Sequence, residues 1–312
     1  MNYTDPEINE ENENADSRLN PKISPVVAAL IGLVLVFVLY QIVGSVVSLL
    51  IFGFNLQEAN VHAVRLFTVA GQILLILLPA LILSKSIYQD VSTVIRYKYP
   101  SAKEIGLYIL GLVILTPFLQ NLLFIQNYFI TYLADVVPFI EQAKTFLDQL
   151  DKLIEETYKD LITANSFFEA SFIVLVIAVT PAICEEVFFR GFVQKSFELK
   201  TKPVTAVLFT AFFFAAYHFS PYGLIALLIL GAYFGMTAYL SGSIFIPIIL
   251  HFLNNLFALI VFFIYGEDDF VSATVTDKSE LVWHSVSFLI LLVVFILFFR
   301  FIVKNHQKIK TN

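Results

Sequence analysis

Charge, cysteine and glycine are all scarce in this chain of 312 residues. Only 14% of the residues are charged, against about 25% in an ordinary soluble domain, which excludes a soluble globular enzyme. The net charge of −6 and the lack of a basic stripe argue against a nucleic-acid-binding protein. The single cysteine excludes an intrachain disulfide and a cysteine-based zinc cluster. With only 12 glycines and 11 prolines, a collagen-like fibre is excluded as well.

Hydrophobic residues, by contrast, make up 58% of the chain, and phenylalanine alone occurs 33 times. They form runs close to the ~20 residues that a helix needs to cross about 30 Å of hydrocarbon. Such runs leave no polar alternation for the lumen of a barrel, so they predict helices. The sequence therefore predicts an all-α polytopic membrane protein, a bundle of eight transmembrane helices plus one amphipathic outer helix. The predicted spans are Val26–Phe52, Leu66–Leu83, Ile105–Ile125, Ala170–Phe189, Val204–His218, Tyr222–Tyr239, Ile244–Tyr265 and Leu281–Val303.

The spans form one predicted domain, residues 25–304, because no repeat of solenoid period occurs. An acidic polar tail, residues 1–24, precedes the domain, and a basic tail, residues 305–312, follows it. The N-terminal tail lacks the positive start and short apolar core of a cleaved signal peptide. The lysines and arginines are concentrated in alternate connecting segments, so the positive-inside rule predicts that both termini are cytoplasmic.

Residues 141–163, between the third and fourth spans, combine an apolar face at helical spacing with a charged face. Phe146 and Leu150 belong to the first face, and Asp148 and Asp151 to the second. The pattern predicts an amphipathic helix on the outer side, lying on the membrane or capping the bundle. A structural lid and a substrate gate are both open interpretations of this helix.

Ionisable side chains in a spanning helix are costly, roughly 2.5–3.5 kcal/mol each at its centre, so the few in this chain need a partner or a function. Glu186 and Arg190 are four residues apart and are predicted to form an ion pair along one helix face. Glu185, about 100° away around the helix, is left to face something else. Pro181 is predicted to kink the helix and to free the carbonyl of Ile177. The alternative is that the charges lie among the headgroups, with Arg190 as an anchor.

Two histidines and an amide lie at or within later spans. His218 ends the fifth span, where a histidine on its own is most often an interface residue. His251 and Asn255 are one turn apart in the seventh span and could simply bridge helices by hydrogen bonds. Gly231 and Gly235 in the sixth span predict close helix packing.

Together these side chains supply what the hydrolysis of an amide requires. A carboxylate can accept a proton from attacking water, and imidazole and carboxamide N–H groups can stabilise the oxyanion. The HExxH helix of soluble metalloproteases is absent from the sequence. Glu185, His218 and His251 could still bind zinc or another divalent metal, with water in the open position.

In this order on membrane spans, Glu185-Glu186-x-x-x-Arg190, Phe214-x-x-x-His218 and His251-x-x-x-Asn255 resemble the CAAX-protease and bacteriocin-processing (CPBP, Abi) family of intramembrane proteases, which includes the Rce1-type prenyl-protein endopeptidases. The resemblance covers roughly residues 168–260, and it is specific because all three motifs occur together.

The resemblance implies an eight-helix bundle in a bacterial plasma membrane, with a cavity reached from the cytosolic side. By motif position, Glu185 would activate the hydrolytic water with help from His218, while His251 and Asn255 would form the oxyanion hole. Glu186 and Arg190 would be structural partners. The implied partners are the lipid bilayer and a peptide or lipidated protein that enters from the membrane or the cytosol, with no nucleic acid.

Two other classes of protein stay open from the sequence. One is a non-catalytic membrane immunity or scaffold protein of the same fold. The other is a proton-coupled transporter, which the crowding of polar groups into one half of the chain disfavours.

A shared site also sets a geometric condition. Glu185 lies toward the cytoplasmic end of its predicted span, whereas His218 ends the next span on the opposite side. The fifteen residues of that next span cover about 22 Å, which is too far for a shared site unless the helices overlap in depth. We therefore predict that the fourth helix continues past Arg190 through Phe192, Val193 and Phe197.

Overall fold

The computed structural model describes residues 19–53, 59–265 and 278–310, and every regular element within these ranges is a helix. The predicted all-α membrane bundle is thereby confirmed. Most of the predicted N-terminal tail, up to residue 18, lies outside the described residues. The helices are α1 (Pro25–Phe52), α2 (Val61–Tyr88), α3 (Val91–Val94), α4 (Ala102–Val136), α5 (Pro138–Ile162), α6 (Phe167–Glu198), α7 (Pro203–Tyr217), α8 (Leu224–Ser241), α9 (Phe245–Tyr265) and α10 (Lys278–Lys310).

Seven of these helices are long and apolar enough to cross a membrane, namely α1, α2, α4, α6, α8, α9 and α10. The remaining predicted span is α7, whose 15 residues rise only about 22 Å. It is shorter than the roughly 30 Å of a hydrocarbon core, but it is an apolar helix like the other seven. The predicted amphipathic helix is α5. The last helix continues to Lys310, so residues 305–310 of the predicted tail extend α10.

Helix α6 is continuous from Phe167 to Glu198, which confirms the predicted continuation past Arg190. Glu185 consequently lies near the middle of this helix, about 27 Å from its first residue and about 20 Å from its last. Two wider π-helical turns, Leu175–Val179 and Val187–Val193, interrupt α6 on either side of Glu185. Such π-helical segments are frequent at functional sites, because they break the regular hydrogen-bond ladder and re-aim side chains.

The core of the bundle has two main parts. One part packs the C-terminal half of α6 against α1 and α2, with Phe188 and Phe192 completely buried. The other packs α4, α8 and α10 around Tyr233. Helix α8 approaches α6 and α7 closely, because a Cβ on Gly231 would lie 3.0 Å from Phe214, and one on Gly235 would lie 2.7 Å from the Gln194 side chain. The close packing predicted for the two glycines is confirmed, and it brings α6, α7 and α8 around the polar residues of the site.

Candidate active site

The end of α7 and the middle of α9 both reach the central part of α6. The end of α7 brings His218 to Glu185, with 3.8 Å between Nε2 and Oε2. Helix α9 brings His251 to the neighbouring carboxylate, that of Glu186. It also brings Asn255 to the carbonyl of Ile177, about two turns before Glu185 in α6. The structure therefore assembles all the predicted site residues along one segment of α6, from Ile177 to Arg190.

Glu186 is the centre of a fully buried charged cluster. Its Oε2 lies 3.2 Å from Arg190 Nε, which confirms the predicted ion pair, and neither side chain is exposed. Its Oε1 lies 2.8 Å from His251 Nδ1, a contact that the sequence did not predict. The guanidinium lies 4.2 Å from the centre of the Phe214 ring and donates to the carbonyl of Gly231. Glu186 thus holds His251 in one orientation, and Arg190 provides the balancing charge.

Glu185 and His218 form a separate and more accessible pair, with side chains 15% and 31% exposed. His218 Nδ1 lies 2.7 Å from the carbonyl oxygen of Phe214. Because a carbonyl oxygen only accepts, Nδ1 must carry the hydrogen. In the neutral ring the lone pair is then on Nε2, which faces Glu185. Two proton acceptors therefore face each other, and the Glu185 Oε2 atom is covered without accepting a hydrogen bond from any described residue.

Asn255 fills the gap that proline creates in the hydrogen-bond ladder of α6. Pro181 has no N–H to donate to the carbonyl of Ile177, four residues earlier. Asn255 Nδ2 donates to that carbonyl instead, at 3.0 Å. This contact uses one of the two N–H bonds of the amide, so the second one is available for another acceptor.

Arg96, in the linker between α3 and α4, supports the site from outside the predicted motifs. Its guanidinium donates to the carbonyl of Arg190, within the second π-helical turn, and to Glu198. Its own carbonyl accepts the N–H of Ile244 at 3.0 Å, directly before α9. One residue thus connects α6 to the start of the helix that carries His251. The sequence around Arg96 does not indicate this role, because a single arginine in a connecting segment is already expected from the positive-inside rule.

The end of α7 is held in a similar way by α1. Gln41 Nε2 donates to the carbonyl of Tyr217 at 3.0 Å, and the Tyr217 hydroxyl donates to the carbonyl of Leu33. The last carbonyls of a helix have no partner within it, so such a donor stabilises the helix end. His218 is the next residue, and its position therefore depends on the first helix of the bundle.

A metal site gains no support from this geometry. Within residues 19–53, 59–265 and 278–310, no group of three or more histidine, cysteine or acidic side chains is arranged to hold a metal ion. His251 Nδ1 is committed to Glu186, and the three ligands named from the sequence, Glu185, His218 and His251, do not form such a group.

Residues 167–257 match the family model of the type II CAAX prenyl endopeptidases, described as Rce1-like. The chain contains an Rce1-like domain. No match was found among curated proteins or among solved structures. The matched segment starts at the first residue of α6 and ends within α9, so it includes every predicted site residue. The family resemblance seen in the sequence is confirmed, and it indicates a CAAX-type membrane endopeptidase in general.

The Rce1-like domain is only part of the bundle. Helices α1 to α5 and α10 lie outside the matched segment. Arg96 and Gln41, which contact the ends of α6 and α7, belong to this outer part. The geometry of the Rce1-like site therefore depends on helices that carry none of its motifs.

Proposed function

We propose that the protein is an intramembrane endopeptidase that uses Glu185 as the general base for water. The proposal is carried by the contact between two partly exposed side chains, Glu185 and His218, with 3.8 Å between Oε2 and Nε2. This pair lies beside the buried pair of Glu186 and His251. Adjacent carboxylates with such different surroundings can serve different purposes. The accessible one can react, while the buried one can orient a catalytic group.

Water activation follows from the two acceptors that face each other. A contact of more than 3.5 Å between polar atoms is suited to a bridging water, which can donate one hydrogen to the Glu185 carboxylate and one to His218 Nε2. As this water attacks the peptide carbonyl, the carboxylate accepts its proton and can later pass it to the leaving amine. General base catalysis of this kind contributes typically 10²–10⁴-fold.

Stabilisation of the oxyanion is assigned to His251 and Asn255. Because His251 Nδ1 faces a carboxylate, its hydrogen is on that nitrogen, and Nε2 can donate only if the ring is an imidazolium. In the proposal the ring donates from both nitrogens, with the Glu186 carboxylate as its counter-ion. The second N–H of Asn255 is the other donor in the proposal. Removal of one such donor typically costs about 10²–10³-fold in kcat.

The depth of the site favours substrates that are anchored in the bilayer. Glu185 lies about 20 Å along α6 from its nearer end, so the scissile bond must reach well below that end. A peptide or protein with a lipid or transmembrane anchor is held at such a depth by the membrane itself. We propose lipidated or membrane-associated polypeptides as the substrate class, and a bacterial plasma membrane, with both termini in the cytoplasm, as the location.

The test is hydrolysis by the protein in vesicles. The probe is a peptide that ends in a farnesylated cysteine followed by three residues, incubated in water enriched in oxygen-18. We expect the wild-type protein to release the tripeptide and to place one heavy oxygen in the new carboxylate. Glu185→Gln should release it about 10²–10⁴-fold more slowly, whereas Glu141→Gln, which changes an exposed carboxylate on α5, should behave as wild type.

A cellular experiment covers substrates other than the probe. C-terminal protein fragments are compared by mass spectrometry between cells with wild-type protein and cells with Glu185→Gln at equal abundance. We expect fragments that only the wild-type protein produces. Identical fragments in both cells, with the biological activity retained, would instead support the non-catalytic scaffold or immunity protein.

A further inference from the structure

Helix α5 carries a stripe of large apolar side chains that the bundle leaves uncovered. Phe139, Phe146, Leu150 and Leu153 are 78%, 60%, 38% and 62% exposed. At 100° per residue, their spacing places them within an arc of about 60° along one side of the helix. The stripe extends about 21 Å along the helix axis. It is therefore a continuous apolar surface and not a set of scattered side chains.

The orientation of α5 is set by contacts at two points. Near its middle, Asp148 accepts hydrogen bonds from Lys144 and from the hydroxyl of Tyr222, in the connection between α7 and α8. Near its C-terminal end, Arg65 of α2 donates to the carbonyls of Leu161 and Thr163. Because these contacts prevent the helix from rotating, the apolar stripe stays turned away from the bundle.

Helix α5 connects two helices that are long and apolar enough to span a membrane. Helix α4 ends at Val136, one residue before the turn into α5, and α6 begins at Phe167, five residues after α5 ends. Both neighbours are membrane-spanning in length and composition. Each end of α5, a helix of 25 residues and about 37 Å, is therefore joined to the end of a helix of spanning length.

The spanning helices on either side of α5 also carry exposed apolar side chains where they meet it. Tyr132 and Val136 of α4 are 56% and 59% exposed, and Phe167 and Phe168 of α6 are 81% and 84% exposed. A spanning helix of a membrane bundle exposes such side chains to lipid. The side of α5 away from the stripe is polar and includes Glu141 and Asp148.

We propose that α5 is a membrane-surface helix whose apolar stripe inserts into the lipid at the boundary between headgroups and acyl chains. An amphipathic helix in this position typically buries its apolar face about 5–10 Å into the boundary. The partner of this surface is the lipid bilayer, which both flanking helices already contact. Since α5 also binds Tyr222, four residues after His218, the helix connects the bilayer surface to the segment that carries a site histidine.

The test uses tryptophan fluorescence in vesicles. The chain has one tryptophan, Trp283, so Trp283→Phe provides a background without tryptophan. In that background, Phe146→Trp places a reporter on the stripe, and Glu141→Trp places a matched control about 140° around the same helix. The protein is reconstituted into phosphatidylcholine vesicles with brominated acyl chains, and iodide is added to the water in parallel samples.

We expect the F146W reporter to lose most of its fluorescence to the lipid bromines and little to iodide, and the E141W control to show the reverse. Quenching of F146W by iodide, as strong as that of E141W, would overturn the proposal. Protection of F146W from both quenchers would overturn it too, since a second copy or the bundle itself would then cover the stripe. Leu150→Trp is a second reporter on the stripe, used if Phe146→Trp does not fold.

Discussion

The two adjacent carboxylates should respond differently when each is replaced by its amide: Glu186→Gln should lower stability, whereas Glu185→Gln should abolish most of the activity. Glu186→Gln removes the charge that lies 3.2 Å from Arg190 Nε and 2.8 Å from His251 Nδ1, where no solvent reaches the carboxylate. Removal of one partner from a buried ion pair costs about 3–5 kcal/mol, because the other charge stays buried without compensation. We expect about 3 kcal/mol here, the lower end, because the Phe214 ring still lies 4.2 Å from the guanidinium.

Glu185→Gln should leave stability nearly unchanged. Its closest described partner, His218 Nε2, is 3.8 Å away, beyond hydrogen-bond distance, and the side chain is partly exposed. Substitutions outside buried networks usually change the free energy of unfolding by about 0.5 kcal/mol or less. The same substitution removes the proposed general base, so hydrolysis of the probe should fall by about 10²–10⁴-fold.

The assay measures both quantities on the same purified proteins. The free energy of unfolding is obtained by SDS titration of the protein in mild detergent, followed by circular dichroism, and hydrolysis is measured in vesicles. Wild-type stability in Glu186→Gln would refute the buried charged cluster. A fully active Glu185→Gln protein would refute the assignment of the base, and an equal loss of stability in both variants would refute the different environments of the two carboxylates.

Three further predictions concern the supports of the site. Asn255→Leu leaves the Ile177 carbonyl without its donor, so SDS titration should show a loss of about 1–3 kcal/mol, and an unchanged midpoint would contradict the contact. Arg96→Ala and Arg96→Gly both remove the hydrogen bonds of the guanidinium, which should lower the free energy of unfolding in SDS titration by about 1.5–3 kcal/mol. Because Arg96 has φ of 56°, which glycine adopts without strain, the glycine variant should be more stable than the alanine variant by up to about 1 kcal/mol, and equal stabilities would contradict this reasoning. Hydrogen bonds, of which that from the Thr93 side chain has the largest effect, lower the pKa of Asp90 to about 2. The ionised carboxylate therefore stabilises the fold above about pH 4, and this contribution is lost as the pH falls towards 2. The deficit of Asp90→Ala, about 0.5–2 kcal/mol at pH 7 for a lost helix cap, should therefore shrink in unfolding measured near pH 2, and a constant deficit would contradict the assignment.

The features that the sequence predicted well are those with a local physical cause. Long apolar runs must be helical in lipid, so the bundle and the approximate positions of its long helices followed from composition. The ends were less accurate, because α4 extends to Val136, 11 residues beyond the predicted Ile125. The ion pair of Glu186 with Arg190 followed from their spacing of four residues. The free carbonyl of Ile177 followed from the covalent structure of Pro181, although its donor could not be identified from the chain alone.

The features that the sequence did not predict depend on distances between helices. His251 was assigned to an oxyanion hole by motif position, yet nothing in its neighbourhood shows that it pairs with Glu186, 65 residues earlier. The role of Arg96 depends on contacts with residues about 95 to 150 positions later in the chain, and a spacing pattern has no information on them. The apolar composition of α7 resembles that of its neighbours, so composition alone does not indicate that this helix has only 15 residues.

The contacts across the boundary of the Rce1-like domain explain why its motifs need the other helices. Glu185 and Glu186 are on α6, but the depth of α6 relative to α9 depends on Arg96, which bonds to both. His218 follows the end of a short helix that α1 holds at Tyr217: Gln41 donates to the Tyr217 carbonyl, and the Tyr217 hydroxyl donates to the Leu33 carbonyl. If residues 167–257 were expressed alone, these donors and acceptors would be missing, and the end of α7 would lose the contacts that hold it. The motif residues provide the chemical groups of the site, and the helices outside the matched segment hold them at the distances at which those groups can act together.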